Sequence, residues 1–172
     1  FLDVIVKQLF HLRSSYCEDL QFLLMNSFST SDDTKSYLSK YPELGNPESI
    51  ELMQNRVPKI NAETLAAANF PDSVKLEWCP PGHGDIYSSL LGTGLLDKLL
   101  NEGVRFAFIS NSDNLGATLD VKILNSFKQG GSSFLMEVTQ RTETDKKGGH
   151  LAKRKDTGSL ILREIAQSKE ED

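Results

Sequence analysis

Apolar residues recur at helical spacing in the opening stretch FLDVIVKQLFHLR, where Leu2, Ile5, Val6, Leu9, Phe10 and Leu12 share one face. The pattern then changes. Phe22–Met25 is a short apolar run between polar neighbours and reads as a buried strand. Ser31-Asp32-Asp33 offers an N-cap and first-turn carboxylates for a helix to about Lys40. Tyr41-Pro42 and Asn46-Pro47 end that helix and mark a loop. SIELMQN is a second short strand, and VPKINAETLAAANFP is a turn followed by a short helix or an irregular loop. A helix is predicted from about Ile86 to Asn101, with Asp85 as N-cap and Gly103 closing it.

The most continuous apolar run, Phe106-Ala107-Phe108-Ile109, predicts a strand covered on both faces. It stops abruptly at polar Asn111, Ser112, Asp113 and Asn114. DVKILNSFKQG follows as a helix with a glycine stop, with Asn114 or Asp120 as its cap, and SSFLMEVTQRT as another strand. The segments GGHLAKRK and SLILREIAQ flank Asp156-Thr157-Gly158 and predict a β-hairpin. Strands alternate with helices as far as Thr139, which argues for an α/β domain with a largely parallel sheet.

Charge and composition narrow the choices. The 172 residues carry a net charge of -5, which speaks against non-specific nucleic-acid binding. No apolar run approaches the roughly 20 residues of a membrane-spanning helix. Cys17 and Cys79 lie far apart without metal-ligand spacing and read as free thiols in a reducing compartment. Phe1 already lies inside a helical pattern, so the chain is expected to be a fragment.

Candidate chemistry gathers where strands end, because open α/β sheets bind ligands at the carboxyl edge of their strands. Met25-Asn26-Ser27 and Asn111–Asn114 are such ends, and the loop CPPGHGD is expected beside them. Pro80 and Pro81 stiffen its entry. Gly82 and Gly84 bare the backbone to a ligand edge, and the helix N-terminus beyond favours an anion. His83 can donate to a phosphate oxygen; the same residues also suit a tight turn with a surface histidine. Asp113 is a natural Mg²⁺ contact, since magnesium takes one or two carboxylates with phosphates and water. It can equally cap its own turn. The Gln54 amide can read a base or sugar edge, or sit as ordinary surface. Lys59, Lys146 and Lys147 lie beside turns, where phosphate contact competes with plain solvation. Glu164 can accept sugar hydroxyls or pair with a lysine. His150 has no evident partner, and no activated nucleophile, phosphate-binding P-loop or zinc spacing is visible.

Taken together, LMNSFSTSDDT, QNRVPKI, WCPPGHGDIYSSLLGTGLLDKLL, FAFISNSDNLGATLD, EVTQRTETDKKGGHL and LREIAQ resemble the UTP–glucose-1-phosphate uridylyltransferases, or UDP-glucose pyrophosphorylases. They occur in the family's order over nearly the whole chain. The resemblance implies a Rossmann-like fold of the glycosyltransferase-A type, with a mostly parallel sheet flanked by helices. It implies transfer of a uridylyl group from UTP to glucose 1-phosphate, giving UDP-glucose and pyrophosphate with Mg²⁺. A cytoplasmic setting is expected, or a plastid one in a plant, and charge and the lack of a long apolar run argue against a nucleic-acid or membrane partner.

By the same resemblance, Gly82 offers backbone to the uracil, Gln54 contacts it and Met25 packs near the base. His83 reaches the sugar phosphate. Asn111 and Asp113 lie at the ribose, phosphates and metal, and Gly149 and Glu164 border the glucose. The family's glycine-rich loop with its terminal lysine is absent before Phe1, and its carboxy-terminal β-helix domain is absent too. Residues 1–172 are therefore expected to form one partial catalytic domain, inactive by itself. A pyrophosphorylase for other UDP-sugars or UDP-N-acetylhexosamines is the near alternative. A non-catalytic nucleotide-sugar-binding domain is the more distant one.

Overall fold

The computed structural model describes residues 1–140, 142–143, 148–165 and 168. They form two compact units, Phe1–Leu119 and Asp120–Asp172.

The first unit begins with α1 (Leu2–Ser15), whose apolar stripe sends Val6 and Leu9 into the core. β1 (Leu24–Asn26) follows, then α2 (Ser31–Leu38), two 3-10 turns at Pro42–Leu44 and Pro47–Ile50, and β2 (Glu51–Met53). β1 and β2 pair in parallel, with Leu24 opposite Glu51, Met25 opposite Leu52 and Asn26 opposite Met53. Parallel strands need a long crossover, and α2 with the two turns supplies it. Val6, Leu9, Leu38, Leu44 and Ile50 form the buried cluster, with Phe10, Phe22, Leu24, Tyr37 and Tyr41 against it. Asp3 accepts from both Lys7 and the Tyr41 hydroxyl, which ties α1 to the first 3-10 turn. Those two donors, Lys7 first, hold the Asp3 carboxyl below its ordinary range.

Two expectations shift by a residue, and a third changes in kind. The first strand ends at Asn26 rather than Met25. Ser31 is a buried first-turn residue of α2, and Thr30 takes the cap position. The prolines Pro42 and Pro47 open 3-10 turns instead of a plain loop, as suits a residue with fixed φ and no amide donor.

Leu38 is only 2% exposed at the centre of this cluster. Leu38→Ala is expected to cost about 2–5 kcal/mol, the usual range for emptying a well-packed leucine site. Urea unfolding checks it, and an unmoved midpoint removes Leu38 from the core.

β3 (Val57–Pro58) and β4 (Trp78–Cys79) pair antiparallel and frame an irregular excursion closed by a bridge between Ile60 and Ala67. Lys59 donates its amide to the Glu77 carbonyl at 2.7 Å, and its side chain is exposed. The helix predicted as one piece is two: α3 (Asp85–Gly92) and α4 (Leu95–Asn101). Gly94, at φ 71°, breaks it, because a left-handed residue cannot continue a right-handed helix. Gly103 closes α4, its amide bonded to the Leu100 carbonyl.

The largest correction concerns Phe106–Ile109. This run belongs to no strand, and Phe106, Phe108 and Ile109 are exposed. SSFLMEVTQRT is likewise outside every strand among its described residues, with Phe134, Leu135, Met136 and Val138 exposed. An apolar run encodes a preference for burial on both faces. It does not encode which element supplies the neighbouring ladder, and a strand exists only with that neighbour.

The second unit holds α5 (Val121–Gly130) and the hairpin β5 (Gly149–Lys153) and β6 (Leu160–Glu164). Asp120 caps α5, its carboxylate accepting from the amides of Lys122 at 2.6 Å and Ile123 at 3.3 Å. Gly131, left-handed at φ 66°, ends it. Arg154 bonds Asp156 at both ends of its guanidinium and shapes the hairpin turn.

Candidate active site

The loop before α3 shows why its residues alternate between stiff and free. Gly82 stands at φ 109°, a conformation that side-chain-bearing residues rarely adopt. Nothing lies within 4 Å of the point where its Cβ would be, so the demand for glycine is conformational and the space beside it is open. The Gly82 carbonyl accepts from the Asp85 amide at 3.1 Å, and the His83 carbonyl from the Ile86 amide at 3.2 Å. These bonds wind the loop into α3. They also use two of the amides that an anion at this helix end would want.

Gly84, not Asp85, is the N-cap of α3. The physical reason is that the Asp85 carboxylate faces elsewhere. Its Oδ2 accepts from the Asn55 amide at 2.6 Å and from the Ser89 hydroxyl at 2.9 Å. Its Oδ1 accepts from the Asn55 Nδ2 at 3.0 Å. The Asn55 side chain first, then its backbone amide and the Ser89 hydroxyl, hold the Asp85 carboxyl below its ordinary range, against the opposing push of partial burial. Such a carboxylate remains ionised at neutral pH and loses these bonds only as pH falls below the usual carboxylate range.

Asn55 directly follows Gln54, and Gln54 is anchored in turn. Its amide donates to the Asn26 carbonyl at 2.8 Å, extending the β1–β2 ladder by one bond. Asn26 is buried and donates its Nδ2 to Glu51 Oε1 at 2.8 Å. The Gln54 Oε1 atom is buried without a hydrogen-bond partner among the described residues. A buried acceptor left open calls for an explanation, and a ligand donor supplies one.

Met25, Gln54, Gly82 and His83 are thereby brought into one chain of connections. Met25 lies on β1 beside Leu52 of β2, Gln54 continues β2, and Asn55 ties that segment to the glycine loop. His83 is exposed at the tip. Asn111 and Asp113 lie in an exposed turn, closed by the Asn114 amide on the Asn111 carbonyl at 3.1 Å. The turn uses the Asp113 main chain and not its carboxylate, which has no hydrogen-bond partner among the described residues. No described hydrogen bond joins this turn to the glycine loop, and no group of three or more acidic, cysteine or histidine side chains among the described residues converges on a metal position.

In the second unit, Gly149 and Glu164 face each other directly across the hairpin. A Cβ at Gly149 would come within 2.9 Å of Leu162 Cδ1 and 3.2 Å of the Arg163 carbonyl, so the glycine lets the two strands close. His150 is half-buried opposite Arg163. Lys146 and Lys147 lie outside the described residues. Cys17 is exposed, Cys79 half-buried, and both are free thiols.

The family of UTP–glucose-1-phosphate uridylyltransferases matches residues 1–172. The chain belongs to this family.

The uridylyltransferase of Hordeum vulgare is 42% identical over 172 residues, which cover 99% of this chain and 36% of that protein. The Saccharomyces cerevisiae one is 40% identical over 168 residues, 97% of this chain and 33% of that protein. A Trypanosoma brucei structure named UDP-glucose phosphorylase superposes with a TM-score of 0.88 at 50% identity, over 99% of this chain and 38% of its own. A Leishmania major UDP-glucose pyrophosphorylase mutant in complex with UDP-glucose superposes with a TM-score of 0.85 at 45% identity, over 98% of this chain and 38% of its own. The chain thus spans about a third of the length of the curated relatives it matches. Its helices and small sheets share the α/β arrangement of these family structures. No helix among the described residues is long and apolar enough to cross a membrane.

The link between Asn55 and Asp85 escaped the sequence. Thirty residues separate the pair, and no local periodicity connects them. The only signal was an aspartate at a helix start, which reads first as a cap.

Proposed function

We propose that this chain is the central part of a single catalytic domain that makes UDP-glucose and pyrophosphate from UTP and glucose 1-phosphate. Its architecture is read as Rossmann-like, of the glycosyltransferase-A type. The observation that carries the reading is the buried, unpartnered Gln54 Oε1, one residue before the Asn55 that bonds Asp85 at the end of the glycine loop. A uracil ring offers one N–H donor flanked by carbonyls, which suits an amide acceptor next to exposed backbone. In this reading Gln54, Gly82 and Met25 hold the base, and Asn111 lies at the ribose and phosphates. Gly149 and Glu164 border the glucose.

The reaction needs no covalent enzyme intermediate. A phosphate oxygen of glucose 1-phosphate attacks the α-phosphorus of UTP, a new P–O bond forms, and the bond to the β-phosphate bridge breaks in line. Positioning and charge neutralisation do most of the work. His83 donates to the sugar phosphate and steadies its approach. Asp113 suits one carboxylate of a Mg²⁺ site, since it is exposed and uncommitted and magnesium completes its shell with phosphates and water. A bound Mg²⁺ would offset phosphate charge.

The test is product formation by the full-length protein with UTP and either glucose 1-phosphate or N-acetylglucosamine 1-phosphate. UDP-glucose is the expected product. Preference for the N-acetyl sugar moves the assignment to the related pyrophosphorylases, and binding of UDP-glucose without turnover of either sugar moves it to a binding domain. The 172-residue chain assayed by itself is expected to form no product; detectable UDP-glucose from it overturns that expectation.

A further inference from the structure

Resting on the uridylyltransferase reading, we infer that Asp85 is a positioning residue that couples the Gln54 segment to the Gly82–His83 loop, and so sets the width of the uracil slot. A first-turn aspartate ordinarily serves its own helix, through capping or the favourable end of the dipole. Two of the three hydrogen bonds described for the Asp85 carboxylate go elsewhere. Both carboxylate oxygens reach Asn55, one to its backbone amide and one to its side-chain amide. Ser89, one turn along α3 and only 2% exposed, braces the same carboxylate from behind.

The two segments joined here are paired farther out by β3 and β4, but at Gln54 and Gly82 each hangs from its own element. Gln54 hangs from β1 through the Asn26 carbonyl, while Gly82 and His83 are wound onto α3. Pro80 and Pro81 restrict the loop's entry, but no described side chain other than Asp85 ties α3 or its loop to Asn55 by a hydrogen bond. A two-point grip fixes orientation as well as distance, because the backbone and side-chain donors of one residue lie at a set angle. Asn55 itself is exposed, so the grip is not forced by packing around it. Loosening it would leave the base contacts present but misaligned.

The pair also predicts its own rescue. With Asn55→Asp alone, two carboxylates face each other and the side-chain bond is lost to repulsion. Adding Asp85→Asn lets the new amide at position 85 donate to the new carboxylate at position 55. The oxygen of that amide still accepts from the backbone N–H. The side-chain bond returns with donor and acceptor exchanged, and the backbone bond keeps its direction.

In the full-length protein, Asn55→Asp is expected to raise the KM for UTP about tenfold or more, on the scale seen when reacting groups are held slightly out of place. The KM for glucose 1-phosphate should hold near its wild-type value, and the double variant should return the UTP value to it. A purely structural pair would shift the melting temperature and leave this split absent. An unchanged UTP KM in Asn55→Asp, or no recovery in the exchanged pair, overturns the inference. If the wild-type protein forms no UDP-glucose, the reaction assigned above fails separately. UDP affinity measured by calorimetry across the same three proteins then decides the clamp, with the same pattern expected and the same two results overturning it.

Discussion

Asp113→Ala in the full-length protein is expected to lower the rate of UDP-glucose formation about a thousandfold, the upper range for removing one group that offsets developing phosphate charge. It is also expected to raise the Mg²⁺ concentration needed for half-maximal rate. The structural basis is what Asp113 does not do. It sits in an exposed turn whose closure uses main-chain groups, and its carboxylate holds no partner among the described residues. A capping aspartate would be committed to a nearby amide, as Asp120 is at the start of α5. The substitution should therefore leave the unfolding transition almost where it was. Magnesium titration of the rate, run beside thermal unfolding, is the check. Full activity with an unaltered metal requirement removes Asp113 from the site.

The second large effect is expected at His83. Replacing it with alanine should reduce the rate about a hundredfold, as loss of a single well-placed donor to a reacting oxyanion does. Stability should change little, because His83 is exposed and lies beyond the buried cluster of the first unit. The neighbouring glycines make the comparison informative. Gly82 is held at φ 109°, so Gly82→Ala would strain the loop itself. His83→Ala leaves that backbone intact and removes only the imidazole. Steady-state rates with saturating UTP and glucose 1-phosphate test the point, and an unchanged rate rules out a role at the sugar phosphate.

Both predictions rest on loop residues whose chemistry was readable before any fold was known. Two glycines around a histidine, after two prolines and before an apolar helical pattern, read as a backbone bared to a ligand or as a tight turn with a surface histidine. At Gly82 the structure adds a reason of its own: the backbone stands at φ 109° with open space beside it, so conformation and not crowding demands glycine. It also narrowed the anion seat at the start of α3, since Asp85 and Ile86 bond their amides within the loop. Gly149 gained a packing explanation, the close approach of β6, that stands beside any contact with sugar. A meeting of Asn111 and Asp113 with the glycine loop is not legible in the sequence, and no described hydrogen bond joins the two.

The sequence by itself determined the features that depend on near neighbours. Asp120 and Gly131 bound α5 because a cap and a left-handed stop act over three or four residues. The hairpin of β5 and β6 follows from two apolar runs across one short turn, and β1 and β2 from two brief apolar stretches set apart by a helix. Family membership was legible too, because it rests on the order of several short motifs. Tertiary structure alone decided that Asp85 reaches back to Asn55, that the Gln54 Oε1 is left buried and open, and that the apolar run at Phe106–Ile109 stays outside any strand. A helix cap finds its partner within its own turn, whereas a carboxylate clamp or a strand ladder exists only once a distant segment has been brought alongside in register.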